Sequence, residues 1–244
     1  MKNKKKYVNS PEDINREVIL NPNSAKAYNS SGLVKSNLND HTGAIEDYTR
    51  AIEIDPEYSP AYHNRGREKA HLRDNKGAIE DYNKAIEIDS NYVNAYSSRC
   101  IAKYKLQDNI GAIEDANIVI EIEPENIQAL AVRGIIKGML GDLNEGIPDL
   151  TRAIEINPKF VTAYNKRGNL KRDIGDLKGA IEDYTKAIEL DPGNSSAYYH
   201  KGVANLDLNN LNEAELDFIK ASELGDKNAS ELVEIMMKYP KKTE

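Results

Sequence analysis

The sequence predicts an all-α architecture of stacked helical hairpins, on three observations. One block recurs every 34 residues, so that Tyr28, Tyr62, Tyr96, Leu130, Tyr164 and Tyr198 stand one period apart. Small residues hold fixed places within that block. Apolar residues around those places recur at helical spacing, as Ile45, Tyr48 and Ile52 do. A single hairpin cannot bury its apolar face alone, so neighbours must stack into a solenoid.

Six units fill residues 25–228, namely 25–58, 59–92, 93–126, 127–160, 161–194 and 195–228. Counted from the first residue of a unit, position 3 is always alanine (Ala27, Ala61, Ala95, Ala129, Ala163, Ala197). Position 8 is glycine in five units (Gly32, Gly66, Gly134, Gly168, Gly202) and Cys100 in the other. Position 20 is alanine except for Gly146, and position 27 is alanine except for Val119. Positions 2–14 and 18–30 read as two antiparallel helices. The small residues at 8 and 20 let their backbones approach while Tyr and Ile fill the flanks, and alanine at 27 does the same against the next unit. Aspartate at 16 (Asp40, Asp74, Asp108, Asp142, Asp176) is placed to cap the second helix. Proline at 32 (Pro56, Pro124, Pro158, Pro192) ends that helix, because its ring disfavours α geometry in the residue before it. Two units depart from the pattern. Unit 93–126 has Cys100 for glycine and Ala116 for tyrosine, and unit 127–160 has Leu130 for tyrosine and Pro148 near the start of its second helix.

This pattern resembles the tetratricopeptide repeat (TPR) family at positions 4, 8, 20, 24, 27 and 32 of most units. The resemblance implies a right-handed α-solenoid of six 34-residue helix-turn-helix repeats, with the first helix of each pair on the concave side. It is looser at position 11, usually aromatic in the family and here Lys35, Lys69, Lys103, Lys137 and Lys171. Residues 1–24 read as a basic tail plus an N-terminal capping half-repeat, its helix over 11–21 starting at Ser10-Pro11. Residues 229–244 read as a C-terminal capping helix, carrying Leu232, Val233, Ile235, Met236 and Met237, and a tail.

A ladder of charges accompanies the repeat. Position 23 is aspartate in every unit (Asp47, Asp81, Asp115, Asp149, Asp183, Asp217), and position 7 is Ser31, Arg65, Arg99, Arg133, Arg167 and Lys201. Buried charges are paired. Because the first unit alone lacks a basic residue, each base is expected to reach the aspartate of the preceding unit: Arg65–Asp47, Arg99–Asp81, Arg133–Asp115, Arg167–Asp149 and Lys201–Asp183.

Composition limits the function. The net charge of −7 disfavours nucleic acid and anionic lipid as partners. No apolar run has the roughly 20 residues that a bilayer crossing requires. The basic start Lys2–Lys6 leads into Asn9, Ser10, Pro11, Glu12 and Asp13 rather than a hydrophobic stretch, so the expected compartment is the cytoplasm. One cysteine and four histidines offer no clustered metal site, and no phosphate loop, zinc-protease or nucleophile-elbow pattern occurs. The expectation is a protein without catalytic residues, cofactor or metal.

The expected function is a non-enzymatic scaffold that holds a peptide or protein segment in the groove of the first helices. Positions 2, 5, 6, 9, 12 and 13 would line it. The candidate residues are Asn29, His63, Asn64 and Arg67 at one end, Ile101, Val132 and Ile135 in the middle, and Lys166, Asn169, Tyr199 and His200 at the other. The charged groove residues are Lys26, Arg67, Lys105, Lys166 and Arg172 against Asp173 and Asp207, basic relative to the whole chain. An apolar centre with a basic and amide rim points to a partner with an apolar anchor and acidic flanks. A well-known TPR subgroup grips the C-terminal carboxylate of chaperones with lysine, asparagine and arginine at set positions. Across the first three units only Asn64 matches, so that clamp is not expected. The alternative is self-assembly through the capping ends, with Met236 and Met237 pairing between chains.

Overall fold

A computed structural model describes residues 18–238, apart from the side chain of Met237. The expected helix start at Ser10-Pro11 and both tails lie outside the described residues. Residues 18–20 are helical, and Ile19 and Leu20 are exposed there. The described residues then form thirteen helices and no strand. The chain divides into two compact units, Met1–Ile122 and Glu123–Glu244.

The first unit holds α1 (Ala25–Asn37), α2 (His41–Ile54), α3 (Ser59–His71), α4 (Asn75–Ile88), α5 (Val93–Lys105) and α6 (Asn109–Ile122). The second holds α7 (Ile127–Met139), α8 (Leu143–Ile156), α9 (Val161–Asp173), α10 (Leu177–Leu190), α11 (Ser195–Asp207), α12 (Leu211–Glu223) and α13 (Lys227–Lys238). Within each unit every helix packs on the next in sequence. The helices follow the two expected segments of each repeat closely. α13 packs on α12 and closes the second unit, burying Ala229 while Ile235 stays exposed.

The reversal inside each hairpin depends on one residue at position 15. Asn39, Arg73, Gln107 and Asn209 take left-handed backbone there, with φ between 62° and 66°, and Gly141 and Gly175 do so in the other two repeats. The next N–H then bonds back into the first helix, as Asp40 N–H does to the Lys35 carbonyl at 2.9 Å. Arg73 and Gln107 hold this conformation against the cost of a Cβ.

The second helix starts on a two-part device. The carboxylates of Asp40, Asp74, Asp108 and Asp176 accept from the N–H of Gly43, Gly77, Gly111 and Gly179 at 2.9–3.0 Å. A Cβ on any of these glycines would lie within 2.4 Å of the capping carboxylate. Where the glycine is missing the cap is lost. Asp142 precedes Glu145 at that position and makes no side-chain cap, which corrects the expectation for it.

Position 8 packs directly on position 24 of its own hairpin. A Cβ on Gly32, Gly66, Gly168 or Gly202 would come within 2.5–2.8 Å of the rings of Tyr48, Tyr82, Tyr184 or Phe218. The third hairpin exchanges the sizes: Cys100 sits where glycine would, Ala116 where tyrosine would, and both are buried. Burial pushes the Cys100 thiol up to about 12, with the Asp115 carboxylate adding to it, so the thiol stays protonated and inert. Ala51 meets Ala61 of the following hairpin in one cluster with Ala25, the expected role of alanine at position 27.

The expected ion pairs form one hairpin later than predicted. Each base at position 7 grips the aspartate of its own repeat: Arg65–Asp81, Arg99–Asp115, Arg133–Asp149 and Arg167–Asp183 are bidentate at 2.6–3.0 Å, and Lys201–Asp217 lies at 3.0 Å. The reason is the antiparallel hairpin, in which position 7 faces 23 just as 8 faces 24. In the first hairpin the Ser31 hydroxyl donates to Asp47 at 2.6 Å. Lys35, Lys69, Lys103 and Lys171 share the same carboxylates at 2.8–3.0 Å, while Lys137 turns to Glu145 at 2.9 Å. What reaches back to the preceding hairpin is the remaining guanidinium nitrogen: Arg65 donates to Thr49, Arg99 to Asn83 and Arg167 to Thr151, at 2.6–3.2 Å. Arginine can thus bind its own hairpin and clamp it to the one before.

Candidate functional site

The candidate residues all lie on the first helices of the repeats, and the two units use them differently. In the first unit, α1, α3 and α5 meet through polar side chains. Asn64 donates its amide N–H to Asn29 Oδ1 at 2.9 Å, and both are buried. His63 Nε2 pairs with the Ser98 hydroxyl at 3.1 Å, and Nδ1 faces the Tyr92 hydroxyl at 3.4 Å. Burial, then the neighbouring Arg67 charge, lowers the His63 pKa to about 4, so the ring is neutral at pH 7. Asn29, His63 and Asn64 are therefore already hydrogen-bonded within the first unit.

Glu68 is the second polar centre of this unit. Its carboxylate is buried and accepts from the Ser36 hydroxyl at 2.8 Å, with His41 Nδ1 at 2.7 Å and Arg67 Nη2 at 3.5 Å. The rings of His41 and His71 lie 4.1 Å apart. Beside this cluster, α3 and α5 border a cavity of about 320 Å³ lined by Arg67, Ala70, His71, Asn75, Tyr82, Ser98, Ile101, Ala102 and Lys105. Arg67 and Ile101 are thus brought together.

In the second unit the seam between α7 and α9 is apolar. Val132, Ile135, Ile136 and Leu170 are buried, and a Cβ on Gly138 would come within 2.3 Å of Leu170. A cavity of about 160 Å³ opens there, lined by Ile135, Gly138, Met139, Lys166, Asn169, Leu170 and Asp173. This brings Ile135, Lys166 and Asn169 together, with Asn169 Oδ1 accepting from the Tyr184 hydroxyl at 2.8 Å. Tyr199 packs edge-on to His200 at 5.3 Å and against Phe218 at 5.9 Å. Burial lowers the His200 pKa, and the Arg172 and Lys166 charges push the same way. His200 Nδ1 and Asn165 Oδ1 are buried without hydrogen-bond partners. A larger space of about 590 Å³ lies between the loop over 123–126 and the Asn157–Phe160 turn, touching the groove positions only at Gln128, and Glu125 there is tied to Arg152 at 2.7 Å.

Sequence reasoning missed Ser98, Tyr82 and Glu68, and two signals could have found them. Positions 5 and 6 of successive repeats fall 35 residues apart, and three of these pairs are polar on both sides, Asn29 with Asn64, His63 with Ser98 and Asn165 with His200. Position 10 is Val34, Ala102, Ile136, Leu170 and Ala204 elsewhere, so Glu68 is an acid at an apolar packing position. Among the described residues no group of three His, Cys, Asp or Glu is arranged to hold a metal ion. No described helix is long and apolar enough to cross a membrane.

Known proteins match this architecture. Models of the TPR repeat match residues 74–107 and 168–209. Models of the tetratricopeptide repeat match residues 25–58 and 195–228. Together these cover just over half of the chain. The chain is similar to the crystal structure of MamA protein at 27% identity and a TM-score of 0.62, over 78% of this chain and 99% of that one. It is similar to YrrB, a TPR protein with an unusual peptide-binding site, at 20% identity and a TM-score of 0.66, over 79% of this chain and 99% of that one. It is also similar to a chain of the APC/C hetero-tetramer Cut9–Hcn1, at 16% identity and a TM-score of 0.79, over 94% of this chain. It spans only 46% of that longer chain. No curated protein matches the sequence significantly. With its 34-residue period, its helical hairpins and these matches, the chain belongs to the tetratricopeptide-repeat family.

Proposed function

We propose that this protein is a non-enzymatic scaffold that holds a peptide segment of a partner protein against the first helices of its repeats. The observation that carries the reading is that each unit has a cavity bordered by its own first helices, and that the two linings differ. The first-unit cavity has Arg67 and Lys105 in its wall, and the second-unit cavity has Ile135, Met139 and Leu170 with Lys166 beside them. Taken unit by unit, the first-unit cavity suits acidic residues of a partner and the second-unit cavity suits an apolar anchor. Met139 is 63% exposed, so part of the anchor site faces solvent and is open to a ligand. YrrB, whose fold is similar, is described as having a peptide-binding site, which agrees with this reading without locating one here.

Selection of a random peptide library against the full chain tests it. Binders should compete with one another and lose affinity when Arg67→Glu and Lys166→Glu are introduced. Undiminished capture by the doubly reversed protein would exclude this surface. A second reading, association of copies through the ends, has the exposure of Ile19 and Ile235 in its favour. A dimer that persists on dilution in light scattering would select it.

A further inference from the structure

We propose that the first-unit cavity between α3 and α5 is a receptor for one carboxylate side chain, an Asp or Glu of the bound peptide. This rests on the peptide-scaffold reading and states what the first unit recognises. Arg67, His71, Asn75, Tyr82, Ser98 and Lys105 supply its polar wall, and none of its lining residues is acidic. That is a local inversion in a chain of net charge −7. Glu68, next to Arg67 in the chain, lies outside the lining, and its oxygens are already engaged with Ser36 and His41. Its contact with Arg67 is long, at 3.5 Å, and the Arg67 side chain is 49% exposed, so the guanidinium can turn to a ligand.

The other groups fit the same ligand. Lys105 has no ion-pair partner among the described residues and sits exposed at the cavity edge. Asn75 Oδ1 is buried with no hydrogen-bond partner, and a half-turn of its amide presents two N–H donors in place of that oxygen. The Ser98 hydroxyl in the wall is paired with His63 Nε2 at 3.1 Å, while Ile101 offers apolar surface to the methylenes of the acidic side chain. A volume of about 320 Å³ suits one side chain and its water rather than a large cofactor. Charge-assisted bonds from Arg67 and Lys105 make the site choose an anion over its neutral amide. The second-unit cavity has Asp173 in its wall beside Lys166, so it lacks this preference.

The test titrates the isotope-labelled full chain with three probes and follows amide chemical shifts. The probes are N-acetyl-glutamate N-methylamide, its glutamine counterpart and inorganic phosphate. The glutamate probe is expected to give saturable shifts confined to residues 67–75, 82 and 98–105. The glutamine probe should bind at least ~10-fold more weakly, as loss of one charge-assisted contact implies. Arg67→Gln with Lys105→Gln should weaken the glutamate probe ~10-fold while the rest of the spectrum is unchanged. Equal binding of glutamate and glutamine, tighter binding of phosphate, shifts scattered over all basic surfaces, or no shifts would each overturn the proposal. Library peptides that keep their affinity in the double variant and show no acidic preference would leave the scaffold reading standing and remove the carboxylate receptor. If no peptide binds at all, the scaffold reading falls and the probe titration still decides the cavity.

Discussion

The first helices of the first unit meet through hydrogen bonds, whereas α7 and α9 of the second unit meet through hydrocarbon. Between α1, α3 and α5 the polar contacts are Asn29–Asn64, His63–Ser98 and Ser36–Glu68, with His41 of α2 joining Glu68. Between α7 and α9 they are Val132, Ile135, Ile136 and Leu170 around Gly138. The second helices echo the split at their first residue, which is His41, Asn75 and Asn109 in the first unit and Leu143, Leu177 and Leu211 in the second. The same hairpin geometry therefore tolerates either chemistry at this seam, and it also holds Asn165 Oδ1 of α9 and His200 Nδ1 of α11 buried without a partner. The polar seam leaves Arg67 and Lys105 at its edge, bordering the first-unit cavity.

Four changes break or sharpen this contrast. Leu170→Ala is expected to cost the most, between about 2 and 5 kcal/mol, because it empties the space Gly138 leaves for that side chain. Amide hydrogen exchange should show the loss in residues 123–238, with the first unit little changed.

Acidification should strike the other seam. His63 titrates at about 4 when folded and near 6.5 when unfolded, so between those values only the unfolded chain takes up the proton. Stability is complete above pH 6.5 and falls as the pH drops toward 4, by up to about 3 kcal/mol at this one group. In urea denaturation His63→Gln should flatten that slope. An unchanged slope would mean that His63 is not the group that titrates.

Asn64→Leu should cost about 2 kcal/mol, since it strands the Asn29 amide in a buried place. Asn29→Leu added to it should recover most of that, turning one rung of the polar seam into the apolar kind. A double variant as weak as the sum of the singles would show that the seam requires polarity for another reason. The smallest effect is a gain. Arg73→Gly relieves a left-handed backbone at φ 66° and should raise stability by about 1 kcal/mol, seen as a higher denaturation midpoint.

Much of the fold was legible because packing positions repeat. Alanine at 3 and 27, glycine at 8 and aspartate at 16 each mark a contact made again in every hairpin, so six copies reinforce one reading. The candidate site was less legible because its residues do not repeat. Asn29, His63 and Asn64 are polar at groove positions, which suggested free groups for a ligand. Only the tertiary structure reveals that Asn29 and Asn64 are bonded to each other and His63 to Ser98 and Tyr92. Arg67, Ile101, Ile135, Lys166 and Asn169 do border cavities.

By itself, the sequence determined the period, the helical hairpin, the caps of most second helices and the exchange of bulk between Cys100 and Ala116. These are set by contacts within one 34-residue unit, where spacing along the chain translates directly into distance. Tertiary structure decided that each arginine grips its own aspartate and reaches back with its spare nitrogen, and that Glu68 is buried among Ser36 and His41. It also decided which cations border a cavity. Those outcomes depend on which side chains of adjacent hairpins come within hydrogen-bond reach, a matter of ångströms that a one-dimensional pattern does not specify.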